Sequence, residues 1–264
     1  MSLAKKKARS IQALARKKDR GESGLFIVEG LRLTHEASDS NFVIEEAYYT
    51  REFVDDPRGE VLVQKLRKKT PAVHEVSQKE LSQMSDTRTS QGVLAILHQK
   101  HESAEHFFAR QAQASIVVAL DGIADPGNLG SIIRTCAWFG IGGILLGQDC
   151  VDPYNPKVVR ATMGGLFRLP IVGDADLAGG IAQAKRLGFV VMVADTSGGR
   201  ELGGISAGGR ILLLMGSEAR GVSDSLRCLA DLRVSIPRYG NAESLNVGVA
   251  CGIVLAQLRR DMKN

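Results

Sequence analysis

The sequence predicts an α/β protein with two α/β domains, a small one followed by a larger one. The chain has 264 residues, which is long enough for two domains. Hydrophobic residues make up 44% of it, a fraction typical of packed globular proteins and not of disordered ones. Short apolar runs alternate with helix-like stretches along the whole chain, and this alternation favours α/β folds.

The first half contains four apolar runs that predict strands, separated by segments that predict helices. Ser77 and Glu80 have the spacing of a capping box, which predicts a helix that continues through Met84. We expect strands at 25–28, 42–49, 73–76 and 92–97, and helices at 29–37, 61–69 and 77–84.

The second half repeats the alternation with longer apolar runs. We expect strands at 116–120, 143–146, 189–194, 211–215 and 232–236, and helices at 129–139, 156–161, 175–187, 223–227 and 245–260. Nearly continuous apolar strands indicate a parallel sheet that is covered on both faces. The polar stretch 98–113 is interpreted as a linker between the domains that can be partly helical. The predicted organisation is a basic segment (1–20), a first domain (21–98), a linker (99–114) and a second domain (115–264).

Positive charge is concentrated at the amino terminus. The net charge of the chain is +5, whereas residues 1–20 alone carry +7. The basic residues there are Lys5, Lys6, Lys7, Arg9, Arg16, Lys17, Lys18 and Arg20. Such a segment favours contact with a polyanion, most often nucleic acid. A solvated helix and a mitochondrial targeting segment are the alternatives, and no apolar run is long enough to predict a membrane helix.

Several kinds of chemistry are not expected from this sequence. The four cysteines form no CxxC pair, and no histidine follows His106, so we expect no metal site. The polar linker contains His98, His101 and His106, which we interpret as solvated. The second half has no GxxxxGK[ST] or GxGxxG motif and no histidine, so we expect a site there to use Asn, Arg, Ser and Glu.

Three segments of the second half carry polar residues where predicted strands end. In the first, a Pro-Gly turn leads into a helix at Asn128, which has the chemistry of a helix cap. Arg134 lies among apolar neighbours in that helix, so we expect it to be buried and to need a partner. Glu218 is the candidate partner. The alternative for Arg134 is a purely structural ion pair.

The second and third segments follow the strands expected at 211–215 and 232–236. Gly216 ends the first of these strands and allows close approach by a ligand, with Glu218 two residues later. Ser244 is a candidate helix cap, followed by Leu245 and Asn246. Each feature is weak when it is taken alone.

Taken in order, these segments resemble the three motifs of the SpoU/TrmH family of RNA ribose methyltransferases. The matching residues are Asn128 and Arg134, then Gly216 and Glu218, then Ser244, Leu245 and Asn246. The first domain, from residue 24 onward, resembles the ribosomal-protein-like RNA-binding domain that often precedes this catalytic domain.

The resemblance implies a fold, a cofactor and an activity. It implies a trefoil knot near the carboxyl terminus, S-adenosylmethionine as cofactor, a homodimer and a cytoplasmic location. The activity implied is methylation of a ribose 2′-hydroxyl, with ribosomal RNA of the 23S type preferred as substrate. A transfer-RNA methyltransferase, a base-methylating relative and a non-catalytic RNA-binding protein are the alternatives.

The resemblance also implies roles for individual residues. Asn128, Arg134, Glu218, Ser244 and Asn246 would be the catalytic set, with Arg134 stabilising the developing alkoxide and Glu218 holding its guanidinium. The cofactor would be bound by Thr196, Leu214, Met215, Gly216, Ile236 and Leu245.

Overall fold

A computed structural model describes residues 3–87, 90–111, 116–195, 198–203 and 209–262, with side chains from residue 6 onward. The chain forms two compact units. The first unit comprises residues 1–100 together with 154–167, and the second comprises 101–153 together with 168–264. Residues 154–167 lie in the chain's second half but belong to the first unit, which the sequence did not predict.

The first unit is a four-stranded mixed sheet with helices on both faces. Its strands are β1 (Leu25–Glu29), β2 (Ile44–Tyr49), β3 (Val73–Glu75) and β4 (Val93–His98), in the order β1-β4-β2-β3. Its helices are α1 (Leu3–Ala13), α2 (Lys17–Ser23), α3 (Leu31–Ser38), α4 (Arg51–Val54), α5 (Pro57–Lys69), α6 (Gln78–Met84) and α9 (Pro156–Ala161), and a short 3₁₀ helix spans Gly165–Phe167. The predicted capping box of Ser77 and Glu80 is present at the start of α6.

The basic amino-terminal segment is folded onto the first unit. Ala8, Ile11 and Leu14 are buried in one apolar cluster with residues of β1, β2, β4 and α6. Arg20 is only 1% exposed, and its Nη1 donates to the carbonyl oxygens of Leu14 and Ala15. Arg20 is therefore a structural residue, and it cannot contribute to a cationic surface.

The second unit is built on a seven-stranded parallel sheet. Its strands are β5 (Ile116–Asp121), β6 (Ile144–Gly147), β7 (Ile171–Ala175), β8 (Phe189–Ala194), β9 (Arg200–Glu201), β10 (Arg210–Gly216) and β11 (Leu232–Ser235), in the order β7-β6-β5-β10-β8-β11-β9. Its helices are α7 (Ala104–Ala109), α8 (Pro126–Trp138), α10 (Leu177–Arg186), α11 (Asp224–Arg227) and α12 (Val247–Asp261). Strands β5, β10 and β8 are fully buried at their centres, as their apolar runs predicted.

The stretch 98–113, interpreted as a linker with some helix, does contain a helix, but its centre is packed and not solvated. Residues 104–109 form α7, and Phe107 and Phe108 are buried in the main apolar cluster of the second unit. The two adjacent aromatic residues were the signal, because burying them outweighs the polarity of the flanking residues. Strand β7 was also missed, since Gly173 and Asp174 interrupt its apolar pattern and Asp174 has a positive φ of 49°.

Helices α8 and α12 pack side by side in the same direction. A Cβ on Gly248 would lie 3.3 Å from Cβ of Ser131, and one on Gly252 would lie 3.7 Å from Cγ2 of Thr135. The contacting positions advance together along both helices, so the two helices are parallel. The small residues on α12 allow this close approach. No helix in the described part of the chain is long and apolar enough to cross a membrane.

Candidate active site

A cavity of about 370 Å³ opens at the carboxyl ends of three neighbouring strands, β8, β10 and β11. Ligands of open parallel sheets bind at this edge. The lining residues come from three loops and from α12: 193–195, 215–218, 221, 222, 227, 234, 236–240, 242–245, 247, 250 and 254. The three loops are far apart in sequence, and the parallel strands bring them together.

Gly216 is required by the backbone of its own loop. A Cβ there would lie about 2.0 Å from the carbonyl carbon of Gly221, a distance at which backbone atoms have to move. The turn from Ser217 to Gly221 folds back on the end of β10, where these two residues form an isolated bridge. A larger residue at 216 would therefore disrupt the loop before it affected any ligand.

Glu218 joins all three sequence segments. Its Oε1 accepts hydrogen bonds from Nδ2 of Asn246 at 2.7 Å, from the backbone N of Val247 at 3.1 Å and from Nδ2 of Asn128 at 3.2 Å. Nδ2 of Asn246 also donates to Oδ1 of Asn128 at 2.8 Å. The resulting amide–carboxylate cluster fixes the starts of α8 and α12 against the turn after β10.

The helix caps differ from those expected. Asp125 caps α8 by accepting from the backbone N of Asn128, and Pro126 is the first helical residue. Asn246 caps α12, since its Oδ1 accepts from the backbone N of Gly248 and Val249. Ser244, the expected cap, instead lies in the loop that lines the cavity. The side chain of Asn128 is therefore available to the cluster with Glu218, whereas Asn246 caps α12 with its Oδ1 and joins the cluster through its Nδ2.

The expected burial of Arg134 and its pairing with Glu218 were wrong. Arg134 is exposed, and it forms no ion pair or hydrogen bond within the described residues. Helical periodicity gives the reason. The buried residues of α8 include Leu129, Ile132, Ile133 and Cys136, which define one face, and Arg134 projects off that face.

The predicted cofactor residues divide into three groups. Met215, Gly216, Ile236 and Leu245 line the cavity. Leu214 does not, because strand alternation points it to the opposite face of β10, into the main apolar cluster. Thr196 lies outside the described residues.

Further polar residues line the cavity. Asp195 follows β8 and accepts from Nη2 of Arg233 at 2.7 Å, with Nε of Arg227 at 3.6 Å. Arg238 and Tyr239 also line the cavity, and both are exposed. Arg238 and Tyr239 lie in the turn-rich loop after β11, which gave no periodic signal that could have placed them.

The cavity fits an adenosyl cofactor. Its volume lies within the range of small-molecule sites. Val193, Met215, Val222 and Leu245 supply apolar surface, and polar and charged side chains lie beside them. No group of three or more His, Cys, Asp and Glu residues in the described part of the chain could hold a metal ion.

A parallel α/β unit with such a cavity defines a class of enzymes that bind a nucleoside-containing cofactor at the carboxyl edge of the sheet. Sequence comparison gives the family. The profile of the SpoU rRNA Methylase family matches residues 115–256, and that of the MRM3-like substrate binding domain matches residues 5–95. The chain belongs to the SpoU family, and it is an S-adenosylmethionine-dependent RNA methyltransferase.

Relatives match over nearly the whole chain. The 23S rRNA (guanosine(2553)-2′-O)-methyltransferase RlmP of Bacillus subtilis is 30% identical over 258 residues, covering 98% of each chain. The AdoMet-bound rRNA methyltransferase from Sinorhizobium meliloti superposes with a TM-score of 0.87 at 33% identity, covering 98% of this chain and 96% of that one. The AdoMet complex of the SpoU methyltransferase AviRb from Streptomyces viridochromogenes gives 0.85 at 25% identity, covering 98% of each.

Proposed function

We propose that this protein methylates the 2′-hydroxyl of one ribose in 23S ribosomal RNA. The observation that carries the proposal is the cluster of Asn128, Glu218 and Asn246, which joins all three family motifs at the edge of the cavity. The full-length similarity to RlmP supports both the 2′-O position and the ribosomal substrate. A transfer-RNA substrate is the second candidate, and the cytoplasm is the expected location.

The chemistry needs a polarised hydroxyl and a positioned methyl donor. S-adenosylmethionine supplies an electrophilic methyl group on its sulfonium. An arginine side chain is not suited to act as a simple base, but the exposed guanidinium of Arg134 is available to an RNA phosphate and to the developing alkoxide. Asn128, Ser244 and Asn246 would orient the ribose, and Glu218 would hold the two asparagines rather than the guanidinium.

The cofactor site would involve a knotted chain. The loop from Ile236 to Leu245 lines the cavity together with the loops after β8 and β10, and it leads into α12. We propose that the segment from Ile236 into α12 forms the trefoil knot of the family. Met215, Gly216, Ile236 and Leu245 would then contact the cofactor, with Thr196 as a further candidate.

The side of the α8/α12 pair that carries Arg134 is apolar and exposed. Trp138 is 85% exposed on α8, and Val249 and Ile253 are 53% and 39% exposed on α12. Because the helices are parallel, helical periodicity places these three residues on one side of the pair, next to Arg134. We propose that a second copy of the chain covers this surface, so that Arg134 lies at the subunit interface.

The first unit would bind the RNA. Its amino-terminal helix packs one face on the core and exposes Lys6, Lys7 and Arg9. Phosphate contacts by such residues make binding dependent on salt. Deleting residues 1–20 would remove Ala8, Ile11 and Leu14 from the core, so substitution of the exposed lysines is the cleaner test of this role.

Calorimetric titration with S-adenosylmethionine tests the cofactor site. We expect one site per chain in the wild type and an affinity at least roughly tenfold lower in Leu245→Trp, which fills the cavity. Leu229→Trp is the matched control, because Leu229 is similarly exposed and lies outside the cavity lining. Absence of binding by the folded wild type, or equal affinity in both variants, would overturn the assignment of the cavity.

A further inference from the structure

The loop after β11 carries an aromatic side chain that nothing in the fold covers. Tyr239 is 97% exposed, the highest value among the large apolar and aromatic residues of the described chain. An aromatic ring in that position gains nothing from packing in the free protein. It nonetheless borders the cavity, and it is the one aromatic residue among the described residues that line it.

Arg238 gives the same surface a positive charge. Its guanidinium makes one long hydrogen bond, from Nη1 to the carbonyl oxygen of Ala242 at 3.5 Å, and it forms no ion pair within the described residues. The other arginine that lines the cavity is engaged differently, since Arg227 donates to the carbonyl oxygen of Val222 and faces Asp195. The cavity rim thus combines an exposed ring with an available cation.

RNA offers a partner for both groups. Unpaired bases stack on aromatic side chains, and guanidinium groups bind the phosphates beside them. Methyl transfer needs the acceptor ribose at the mouth of the cavity, and the base is attached to the carbon next to the one bearing the 2′-hydroxyl. The base of the acceptor nucleotide is therefore the base held nearest to Tyr239.

We infer that Tyr239 stacks on the base of the nucleotide to be methylated, and that Arg238 binds a phosphate of the same strand. This inference rests on the proposed function and adds a positioning residue for its substrate. Tyr239 would select RNA whose target base can leave the helical stack. A target held inside a continuous duplex could not make this contact.

Substitutions at Tyr239 test the inference with the 23S rRNA of the source organism, taken from a strain that lacks the gene. In Tyr239→Ala we expect KM for RNA to rise roughly 10- to 100-fold, as for loss of one stacked base. In Tyr239→Phe we expect KM to stay within about threefold, because the ring is retained. The Kd for S-adenosylmethionine should be unchanged in both variants.

Binding measurements provide a readout that does not depend on turnover. A fluorescent rRNA fragment containing the methylated nucleotide, and the same fragment made abasic there, are titrated by anisotropy. Removing the base should weaken binding to the wild type and to Tyr239→Phe, and should cause no further loss in Tyr239→Ala. Arg238→Ala should weaken binding to both fragments equally.

The outcomes separate this inference from the proposed function. If the wild type methylates no 2′-hydroxyl of the rRNA, both are overturned. If it does, three results overturn only the role of Tyr239: an unchanged KM in Tyr239→Ala, an equal loss of S-adenosylmethionine binding in that variant, or a further loss on the abasic fragment.

Discussion

We assign Arg134 a role in the reaction, and its position in α8 bears directly on that role. Its neighbours in sequence are apolar, yet it lies off the buried face of α8 and is exposed. An exposed arginine keeps its full set of donors for an external phosphate or alkoxide. Arg134 also lies beside the exposed Trp138. A second subunit that covers Trp138 would therefore place Arg134 at the subunit interface.

Arg134→Ala should abolish most of the turnover while cofactor binding persists. We expect kcat to fall roughly 100-fold or more, the usual loss when a donor to a developing oxyanion is removed. Methyl incorporation measures turnover, and calorimetry measures the Kd for S-adenosylmethionine. Arg186→Ala removes an equally exposed charge from α10 and should behave as the wild type. Near-normal kcat in Arg134→Ala would refute the role of Arg134.

The cysteines should differ sharply in reactivity. Cys228 is exposed, whereas the other three cysteines are buried. A hydrogen bond with Cys251, together with burial, raises the pKa of the Cys136 thiol, and burial raises the pKa of Cys150. The thiolate is the reactive form of cysteine. A thiol with a raised pKa is therefore less reactive at any pH below that pKa.

Iodoacetamide at pH 8 should therefore modify one cysteine of the folded protein. Mass spectrometry should locate the label on Cys228, and Cys228→Ser should remain unlabelled until it is denatured. Rapid labelling of Cys136 or Cys251 in the folded protein would show that α8 and α12 are not packed as described, and rapid labelling of Cys150 would show that this thiol is not buried.

At the scale of elements, the close packing of α8 and α12 depends on glycine in one place and tolerates alanine in another. A Cβ on Gly248 would meet Oδ1 of Asn246 at 3.2 Å and Cβ of Ser131 at 3.3 Å, both of which are tight. A Cβ on Gly252 would meet Thr135 at 3.7 Å, an ordinary contact.

Gly252→Ala should stabilise the protein, whereas Gly248→Ala should not. Replacing a helical glycine with alanine contributes roughly 0.5–1 kcal/mol when the space is free. Urea unfolding should show that gain at position 252 and no gain, or a loss, at position 248, where the cap of α12 is disturbed. An equal gain at both positions would contradict the described packing.

The strands and helices themselves were predicted more fully than the contacts between them. The apolar runs located β5, β8 and β10 because burial on both faces leaves a clear pattern. The amide–carboxylate cluster was not predicted, although all three of its residues were named. Asn128 and Glu218 are 90 positions apart, and local patterns carry no information on which side chains meet across such a distance.

At the scale of the whole molecule, we propose that the two units have different tasks, RNA binding in the first and methyl transfer in the second. One carries the exposed cations of α1, and the other carries the cavity and the motif cluster. The sequence indicated this division through charge and motif order. It did not predict that residues 154–167 join the first unit, because chain order says little about which unit a segment packs against.

Dimerisation can be tested by making the same substitution, valine to glutamate, at two different positions. Val249→Glu places a charge on the apolar surface of α12, and Val61→Glu places one on α5, where Val61 is 52% exposed. Light scattering should find a dimer for the wild type and for Val61→Glu, and a monomer for Val249→Glu, because a buried unpaired charge is costly. A monomeric wild type, or a dimeric Val249→Glu, would contradict the proposed interface.

We propose that a ribose 2′-hydroxyl of 23S rRNA receives the methyl group. The most direct measurement incubates the protein and S-adenosylmethionine with 23S rRNA from cells lacking the gene, then maps bonds that resist alkaline hydrolysis. A 2′-O-methyl group protects its phosphodiester, because the attacking hydroxyl is gone. We predict one newly protected position, absent with Arg134→Ala. Methyl incorporation without any protected bond would show methylation of a base, and no incorporation by a folded, cofactor-binding protein would exclude 23S rRNA as the substrate.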